Sequence, residues 1–282
     1  MYLQAQGHLG LRHFSEAEAV LRALDPKDGD AYLLLCGHVL RDLAESAEMQ
    51  GDFSRAEAAY RRAAQESPAE WDRASAEYAL QRLAAYHASQ FSPDTRVRVL
   101  PDDRTTRGDW EKAYGKQRYV LCAQNFIVDR VGGPAPELSY HFTTTDPTET
   151  GRLWVTTKVD DDPAALWNPF DKQHRAANRD DYGEQTPLGQ GPDLLLRLDF
   201  PKCPHGLSLY FVNDHNYYEP NRRYTISVTD TNGALLALTT VDNFGGGVYK
   251  RFTVSGVGPL IFHIWRNMSP NTLISGVFLD KG

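Results

Sequence analysis

The chain has 282 residues, a net charge of −7, 41% hydrophobic residues and 24% charged residues, a composition typical of a globular protein with room for two modest domains. Residues 1–94 carry 9 Lys and Arg against 15 Asp and Glu, and the remainder has a net charge of only −1. Neither half has the concentrated positive charge of a nucleic-acid-binding protein. No run approaches the roughly 20 apolar residues of a membrane helix, so membrane insertion is not expected.

The three cysteines do not indicate a metal or disulfide site. Cys36, Cys122 and Cys203 are odd in number and widely spaced, which argues against a disulfide framework and against a zinc site. Cys36 and Cys122 lie in apolar runs and are expected to be small core residues. No cofactor is expected from any of them.

A helical period covers residues 1 to about 90. In the segment GDFSRAEAAYRRAAQESP (51–68), Phe53, Ala56, Tyr60 and Ala63 are three or four residues apart and therefore share one helix face. The segment HFSEAEAVLRALDP repeats this plan 39 residues earlier. The pattern resembles the tetratricopeptide repeat, whose regular spacing is about 34 residues. The resemblance implies two repeats and a closing helix over AEWDRASAEYALQRLAAYHASQF that contact a protein partner; helices that serve only as a packing platform are the alternative.

After residue 95 the period changes to two, which is typical of β-strands. The turn sequence DTNG (230–233) separates two of these runs. About ten strands are predicted, in the segments RYVLCA, LSYHFTTT, RLWVTTK, DLLLRLDF, GLSLYFV, RRYTISVTD, GALLALTTVD, GVYKRFTVSG, PLIFHIWRN and TLISGVFLD. The predicted fold is therefore an α + β multidomain protein, with a helical-repeat domain over 1–92 and an antiparallel β-sandwich over 96–282.

Ordered motifs over about 102–280 resemble the galactose-binding-like, jelly-roll carbohydrate-binding modules of bacterial multidomain proteins. The motifs comprise Asp103, Thr105, Thr106, Gly108, Trp110, Tyr114 and Gly115, then Pro163, Arg175–Ala177 and Tyr182-Gly183, then LYFV followed by Arg222, and finally VDNFGGGVYKRFTVSG and NTLISGVFLD. The resemblance implies a jelly roll that binds glycans. Where relatives show Asp-Trp-Asp after LYFV, this chain has Asn213, Asp214 and His215. Any function of that acidic pair, such as hydrogen bonding to Arg222, is therefore not carried over.

Arg107, Gly108 and Asp109 form the tripeptide of cell-adhesion ligands. A receptor ligand needs an exposed loop tip, whereas this tripeptide adjoins Trp110 and Tyr114, which we interpret as packing residues. Gly108 and Trp110 also belong to the motif above. We therefore expect a structural role for the tripeptide rather than an adhesive one.

Two segments combine aromatic rings with planar polar side chains, which is the mixture that sugar recognition requires. They are LWNPFDKQHR (166–175) and NDHNYYEPNRR (213–223), and loops at the end of a sandwich are the usual place for recognition. The candidate carbohydrate-binding residues are Trp167, Asn168, Phe170, Arg175, Asp214, His215, Asn216, Tyr217, Tyr218 and Arg222. The alternative is that these aromatic residues close the sandwich end or pack on the helices.

Catalytic motifs are not found. No nucleophile elbow, phosphate loop or dinucleotide-binding glycine pattern occurs. The segment 160–192 is polar, and we interpret it as a solvated loop. Its acids Asp171, Asp180, Asp181 and Glu184 offer a hydrolase alternative, which requires two carboxyls roughly 5–9 Å apart. The run Asp160–Asp162 is a candidate for structural Ca²⁺, although three adjacent acids cannot all converge on one ion.

We thus expect a non-catalytic binding protein with a glycan ligand and, through its helices, a protein partner. A structural or interaction protein whose sandwich binds no sugar is the alternative. The start MYLQAQGHLGLRHF lacks the layout of a secretory signal and reads as helical from residue 3, so a segment upstream of it is expected. Unpaired cysteines and the missing signal favour the cytoplasm, whereas the resemblance favours export or the cell surface. Both locations stay open, with export favoured slightly.

Overall fold

The computed structural model describes residues 16, 19, 40, 43–44, 47, 52–67, 70–89, 95–125, 128–135, 139–146, 152–159, 162–181, 191–200, 205–213, 222–256, 258–267 and 269–282. The chain divides into two compact units, Met1–His87 and Ala88–Gly282. Among the helices of these residues, none is long and apolar enough to span a membrane.

Helices form the first unit. Helix α1 spans Phe53–Glu66 and helix α2 spans Glu70–Ser89. The Asp52 side chain accepts a hydrogen bond from the Arg55 backbone N–H at 3.1 Å and so caps α1. The face of α1 that is buried carries Ala56, Tyr60 and Ala63, as the spacing predicts. The described part of this unit contains two complete helices, and an array of tetratricopeptide repeats is not shown.

The second unit is built from antiparallel strands. Their bounds are β1 Arg96–Asp103, β2 Arg118–Leu121, β3 Arg130–Gly132, β4 Ser139–Thr144, β5 Arg152–Val159, β6 Leu166–Asn168, β7 Gln173–Asp180, β8 Leu194–Asp199, β9 His205–Phe211, β10 Tyr224–Thr229, β11 Leu235–Val241, β12 Val248–Ser255, β13 Leu260–Trp265, β14 Leu273–Ile274 and β15 Gly276–Lys281. One sheet has the order β1-β12-β9-β15-β2-β3 and another the order β11-β10-β13-β8-β4. A third sheet has the order β14-β7-β5, with β6 paired to β7.

The core of this unit lies between the first two sheets. Residues of β9 and β12 on one side and of β10 and β13 on the other belong to one buried cluster. Phe252 of β12 meets Phe262 of β13 edge to face, with ring centroids 5.5 Å apart. The predicted apolar faces of β9, β10 and β13 are all buried. The prediction of an antiparallel β-sandwich is confirmed.

The segment 160–192 contains two strands where a solvated loop was predicted. Strand β6 pairs with β7, and β7 also pairs with β5 and β14. The sequence of β7, QHRAANRD, has apolar residues only at its two alanines, so it carries no alternating hydrophobic signal. Its polar residues Asn178 and Asp180 are nevertheless buried, because they have hydrogen-bond partners from other segments of the chain. The loop interpretation is wrong for residues 166–180.

Candidate functional site

In the motif at the start of the sandwich, the Asp103 carboxylate is the centre of a hydrogen-bond network with Thr105, Thr106 and Tyr114. This carboxylate accepts hydrogen bonds from the backbone N–H and hydroxyl of Thr105, both at 2.8 Å, from the backbone N–H and hydroxyl of Thr106 and from the Tyr114 hydroxyl at 2.7 Å. Burial by itself raises the pKa of Asp103, but the hydrogen bonds from Thr106, Tyr114 and Thr105 outweigh it and hold the pKa well below its usual value. The Asp and Thr residues of the motif therefore have a structural role.

The Gly and Trp of the same motif hold strand β6 in place. The Trp110 indole N–H donates to the Trp167 carbonyl at 2.8 Å. The Trp167 N–H donates to the Gly108 carbonyl at 3.0 Å, and the Gly108 N–H donates to the Pro163 carbonyl at 2.8 Å. A Cβ at Gly108 would lie 1.8 Å from the Ala165 carbonyl oxygen, so only glycine allows this approach. The backbone of Trp167 is thus fixed from two sides.

This packing decides the role of the tripeptide 107–109. Gly108 is buried against β6, whereas Arg107 and Asp109 on either side of it are exposed. The Arg107 carbonyl accepts a hydrogen bond from the Tyr249 hydroxyl, which ties the segment to β12. The tripeptide is therefore not a free loop tip, in agreement with the structural role expected from its sequence.

The connection from β6 to β7 carries the aromatic residues, and we name residues 167–175 the aromatic turn. Trp167 pairs with His174 across the hairpin, and their rings meet edge to face with centroids 5.3 Å apart. Trp167 is half-buried against the cluster that contains Trp110. The Phe170 side chain is 54% exposed. Two rings therefore stand at the surface of one short, well-supported turn.

His174 and Asp109 place polar atoms beside the Trp167 ring. The Nδ1 atom of His174 lies 2.6 Å from the Ala165 carbonyl oxygen, and because a carbonyl only accepts, Nδ1 carries the proton. The Nε2 atom lies 3.4 Å from Oδ1 of Asp109, a carboxylate whose side chain is 77% exposed. Nε2 and the Asp109 carboxylate are thus groups that can hydrogen-bond the hydroxyls of a ligand.

The other side of the aromatic turn carries charged side chains. The Arg130 guanidinium lies over the Phe170 ring, 5.0 Å from its centroid. The Arg175 Nε and Nη2 atoms lie 2.7 and 2.6 Å from Oδ2 of Asp171. Lys172 is exposed at the end of the turn, with its N–H bonded to the Asn168 carbonyl at 2.9 Å.

Asn168 does not reach the surface. It is 0% exposed, and its amide N–H groups donate to the Gln124 carbonyl at 3.2 Å and to Oδ2 of Asp171 at 3.4 Å. Its side-chain oxygen accepts from the Phe170 N–H at 3.0 Å. This candidate residue shapes the turn from inside and has no atom for a ligand to contact.

Arg222 is also buried, and it lies away from the aromatic turn. It is 7% exposed and donates to Oδ1 of Asn213 at 2.5 Å and to Oδ1 of Asn271 at 2.8 Å. Asn271 in turn contacts Oδ2 of Asp180, at the last residue of β7, whereas the aromatic turn adjoins the first residues of β7. At about 3.3 Å per residue, the two ends of this strand are roughly 23 Å apart. Arg222 therefore belongs to a polar core rather than to the surface of Trp167.

The remaining candidates are Asp214, His215, Asn216, Tyr217 and Tyr218, and they lie outside the described residues. The resemblance placed an acidic residue where this chain has Asn213. Here Asn213 accepts the hydrogen bond from Arg222 with its amide oxygen. The contact with Arg222 at this position is thus made without a carboxylate.

Among the described acids of the hydrolase alternative, Asp171 and Asp181 do not form a catalytic pair. Asp181 and Arg266 form an ion pair at 2.9 Å, with side chains 0% and 2% exposed, and the same Asp181 oxygen accepts from the Thr272 N–H and hydroxyl at 2.7 and 2.8 Å. Asp171 lies in the aromatic turn, beyond the opposite end of β7. A separation of roughly 20 Å or more exceeds the 5–9 Å of a glycosidase pair. Glu184 lies outside the described residues.

The candidate calcium ligands are described only in part. Asp160 and Asp161 lie outside the described residues. Asp162 accepts a hydrogen bond from the Ala164 N–H at 2.9 Å and so shapes the turn before β6. Within the described ranges, no three His, Cys, Asp or Glu residues lie close enough together to hold a metal ion.

Four residues around the aromatic turn were not singled out as candidate binding residues from sequence, namely Asp109, Arg130, Lys172 and His174. They come from three segments, and the strand register brings His174 beside Trp167, while Phe170 brings Arg130 to the turn. Lys172 and Asp171 lie within the quoted segment 166–175. A prediction of the β6–β7 hairpin would have placed His174 opposite Trp167.

No family model and no curated protein matches the chain. Similar solved structures include the K1 cleaved adhesin domain of Lys-gingipain from Porphyromonas gingivalis W83, at 11% identity, covering 51% of this chain and 94% of that one with a TM-score of 0.29. TmCBM61 in complex with β-1,4-galactotriose has 11% identity over 51% of this chain and 88% of that one, with a TM-score of 0.21. TmCBM27, a mannan-recognising carbohydrate-binding module, has 11% identity over 66% and 95% of the two chains, with a TM-score of 0.22. TM-scores this low establish neither a common fold nor a common ligand.

Proposed function

We propose that this chain is a non-catalytic carbohydrate-binding protein and that its glycan site is the aromatic turn. The observation that carries the proposal is the pair of surface rings, Trp167 half-buried and Phe170 54% exposed, on one short turn. A large aromatic ring left in contact with water forgoes the stabilisation that burial would supply. Exposed aromatic side chains grouped in this way are typical of binding surfaces.

The chemistry around the rings suits a sugar. The C–H face of a pyranose packs on an aromatic ring, and a few well-placed polar groups then read its hydroxyls. Asp109 and His174 supply such groups beside Trp167. The Arg175–Asp171 pair supplies more of them next to Phe170. A sugar hydroxyl both donates and accepts hydrogen bonds. Carboxylates here can accept from it and guanidinium groups can donate to it.

The turn is also held in place before any ligand arrives. The hydrogen bonds from Trp110 and Gly108 fix the backbone of Trp167, and Asn168 fixes the backbone of Phe170 from inside. Side chains that are ordered in advance lose less conformational entropy on binding. This support gives the opening motif a role in function, through the turn that it positions.

The test is a glycan array followed by titration calorimetry on the full chain. We expect Phe170→Ala to weaken glycan binding roughly tenfold or more, as truncation of a central aromatic contact does. Phe170 is the better variant because its exposure makes misfolding unlikely to contribute, whereas Trp167 packs on the core. Tyr78→Ala is the matched control, since Tyr78 is 57% exposed on helix α2 in the other unit, and its binding should equal that of the wild type.

If the folded chain binds no glycan on the array, the proposal fails. The alternative is then an interaction protein whose aromatic turn contacts another protein. Arg130 stacked on exposed Phe170 favours it, because aromatic residues and arginine are enriched at interface hot spots. A pull-down that Phe170→Ala abolishes would support this alternative.

Two further expectations stay predictions. The resemblance of residues 1–92 to tetratricopeptide repeats implies a protein partner for the helices, and Tyr78 is an exposed aromatic residue of that unit. A pull-down with the full chain and with Tyr78→Ala would test it. An exported location is favoured by the resemblance of the sandwich, and detection of the protein outside its cells of origin would test that.

A further inference from the structure

Positive charge exceeds negative charge at the aromatic turn. Arg175 and Asp171 neutralise each other, with their nearest atoms 2.6 Å apart. Arg130 and Lys172 have no carboxylate within ion-pair distance among the described residues. Arg130 and Lys172 thus remain without an ion pair among the described residues. With the exposed Asp109 carboxylate counted, the turn and its neighbours carry three cations against two carboxylates.

The environment of Arg130 favours an anionic ligand. Its guanidinium is stacked over the Phe170 ring at 5.0 Å, an arrangement that leaves the N–H donors of the two Nη atoms, at the edge of the plane, available for a bidentate contact. Its Nε atom is buried and has no hydrogen-bond partner in the described part of the chain. The group is therefore already partly removed from water, and its attraction to an anion is less screened than that of a fully solvated side chain.

The backbone of Lys172 supplies an independent observation. Its φ is 59°, in the left-handed region where a residue with a Cβ is strained and glycine or asparagine is preferred. Such backbone strain is concentrated at ligand sites, where the side chain has a use. An exposed lysine at this position is explained if its ammonium group binds a ligand.

From these observations, and resting on the proposed function, we propose that the aromatic turn binds an acidic glycan, whose carboxylate or sulfate groups contact Arg130 and Lys172. The residues from 95 onward have a charge of only −1, so the continuous charge of a nucleic acid is a poor match. An acidic glycan carries isolated anionic groups between the apolar faces of its sugars. Such a ligand matches the aromatic turn, where Arg130 and Lys172 lie among aromatic rings. A uronate carboxylate is planar and fits the guanidinium of Arg130 in two hydrogen bonds.

The experiment compares four probes on the full chain, namely an oligogalacturonate, a neutral galactan oligosaccharide of equal length, a sulfated galactan oligosaccharide and a single-stranded DNA oligonucleotide. We expect the acidic glycans to bind at least tenfold more tightly than the neutral one, and this difference to shrink as salt is raised. Preference for the uronate over the sulfate would assign the anion as a carboxylate, and the reverse preference would assign it as a sulfate; both support the inference.

Charge variants complete the test. Arg130→Gln and Lys172→Gln should each weaken acidic-glycan binding about tenfold more than they weaken neutral-glycan binding, whereas Arg98→Gln, at an exposed arginine of β1, should weaken neither. Lys172→Gly should weaken acidic-glycan binding while raising the stability of the chain, because it relieves the φ strain. That combination separates a binding role from damage to the fold.

The outcomes distinguish the two proposals. This inference is overturned if neutral and acidic glycans bind with equal affinity, and if that binding is lost in Phe170→Ala but unchanged in Arg130→Gln. The proposed glycan site would then still stand. Failure of every glycan probe overturns both. Tighter binding of the DNA oligonucleotide than of either acidic glycan overturns the assignment of the ligand class.

Discussion

Gly108→Ala tests whether the opening motif of the sandwich holds the aromatic turn. The added Cβ would lie 1.8 Å from the Ala165 carbonyl oxygen and 2.9 Å from the Pro163 carbonyl oxygen. Both neighbours are backbone atoms, so neither can rotate away, and the segment before β6 has to move as a whole. The hydrogen bonds of Gly108 to Pro163 and Trp167 are then lengthened or lost.

The expected cost follows from three contributions. Insertion of a methyl group into a packed site costs about 1–3 kcal/mol, and each lost backbone hydrogen bond about 0.5–1.5 kcal/mol. Replacement of glycine restricts the unfolded chain and returns about 0.4–1 kcal/mol. We therefore expect the free energy of unfolding of the sandwich to fall by about 3 kcal/mol, which lowers the Tm of a unit of this size by about 6–12 °C.

Urea unfolding monitored by tryptophan fluorescence measures this change. Gly246→Ala is the control, because Gly246 has no atom within 4 Å of its added Cβ, and its unfolding free energy should change by less than about 1 kcal/mol. Glycan binding by Gly108→Ala should fall as well, since Trp167 loses one of its backbone supports. Unfolding curves of Gly108→Ala and wild type that coincide would refute the structural role of the motif.

Three further predictions concern titratable side chains. Asp103→Asn should lower the free energy of unfolding by about 1–2 kcal/mol at pH 7. Hydrogen bonds lower the folded-state pKa of Asp103, so its carboxylate stabilises the fold above the unfolded-state pKa of about 4. This stabilisation is lost as the pH falls toward the folded-state pKa. Urea unfolding between pH 7 and pH 3 should show the unfolding free energies of wild type and Asp103→Asn converge. A difference between them that does not change with pH would contradict this role of the Asp103 carboxylate. Asp181→Ala removes the carboxylate that pairs with the 2%-exposed Arg266 and should lower the free energy of unfolding by about 3–5 kcal/mol. The double variant Asp181→Leu/Arg266→Met should regain part of this loss. A double variant as unstable as Asp181→Ala would contradict an ionic cause. Burial, with the nearby Asp129 charge, raises the pKa of Cys122 well above its usual value. Iodoacetamide at pH 8 should therefore label Cys122 at least 100-fold more slowly in the folded than in the unfolded chain. Peptide mass spectrometry measures the two labelling rates, and equal rates would contradict the burial of Cys122.

Local patterns were enough to predict the regular parts of the fold. Alternation along β9, β10 and β13 predicts which side of each strand joins the main core cluster, and this requires no knowledge of the partner strand. The opposite sides of β9 and β10 are largely buried as well, which alternation does not predict. The buried face and N-cap of helix α1 are likewise readable within about fifteen residues. The resemblance of the opening motif indicated packing roles for Trp110 and Tyr114, and both are buried.

Strand β7 required the tertiary structure. Its polar residues are buried because Asn271 and Ser275, nearly one hundred positions away, supply hydrogen bonds to Asp180 and Asn178. A pattern within the strand cannot reveal such partners, so a polar segment was interpreted as solvated. The same distance in sequence explains why Asp181 was considered as a catalytic acid, although it pairs with Arg266 in the interior.

The candidate site divides in the same way. The short segment that carries Trp167, Phe170 and Arg175 could be predicted from sequence, because aromatic and planar polar residues occur together there within ten positions. The inward orientation of Asn168 and Arg222, and the approach of Asp109 and Arg130 to the aromatic turn, depend on the tertiary structure. Burial and contact between distant segments depend on strand register and sheet order, and these are properties of the whole sandwich rather than of any one of its segments.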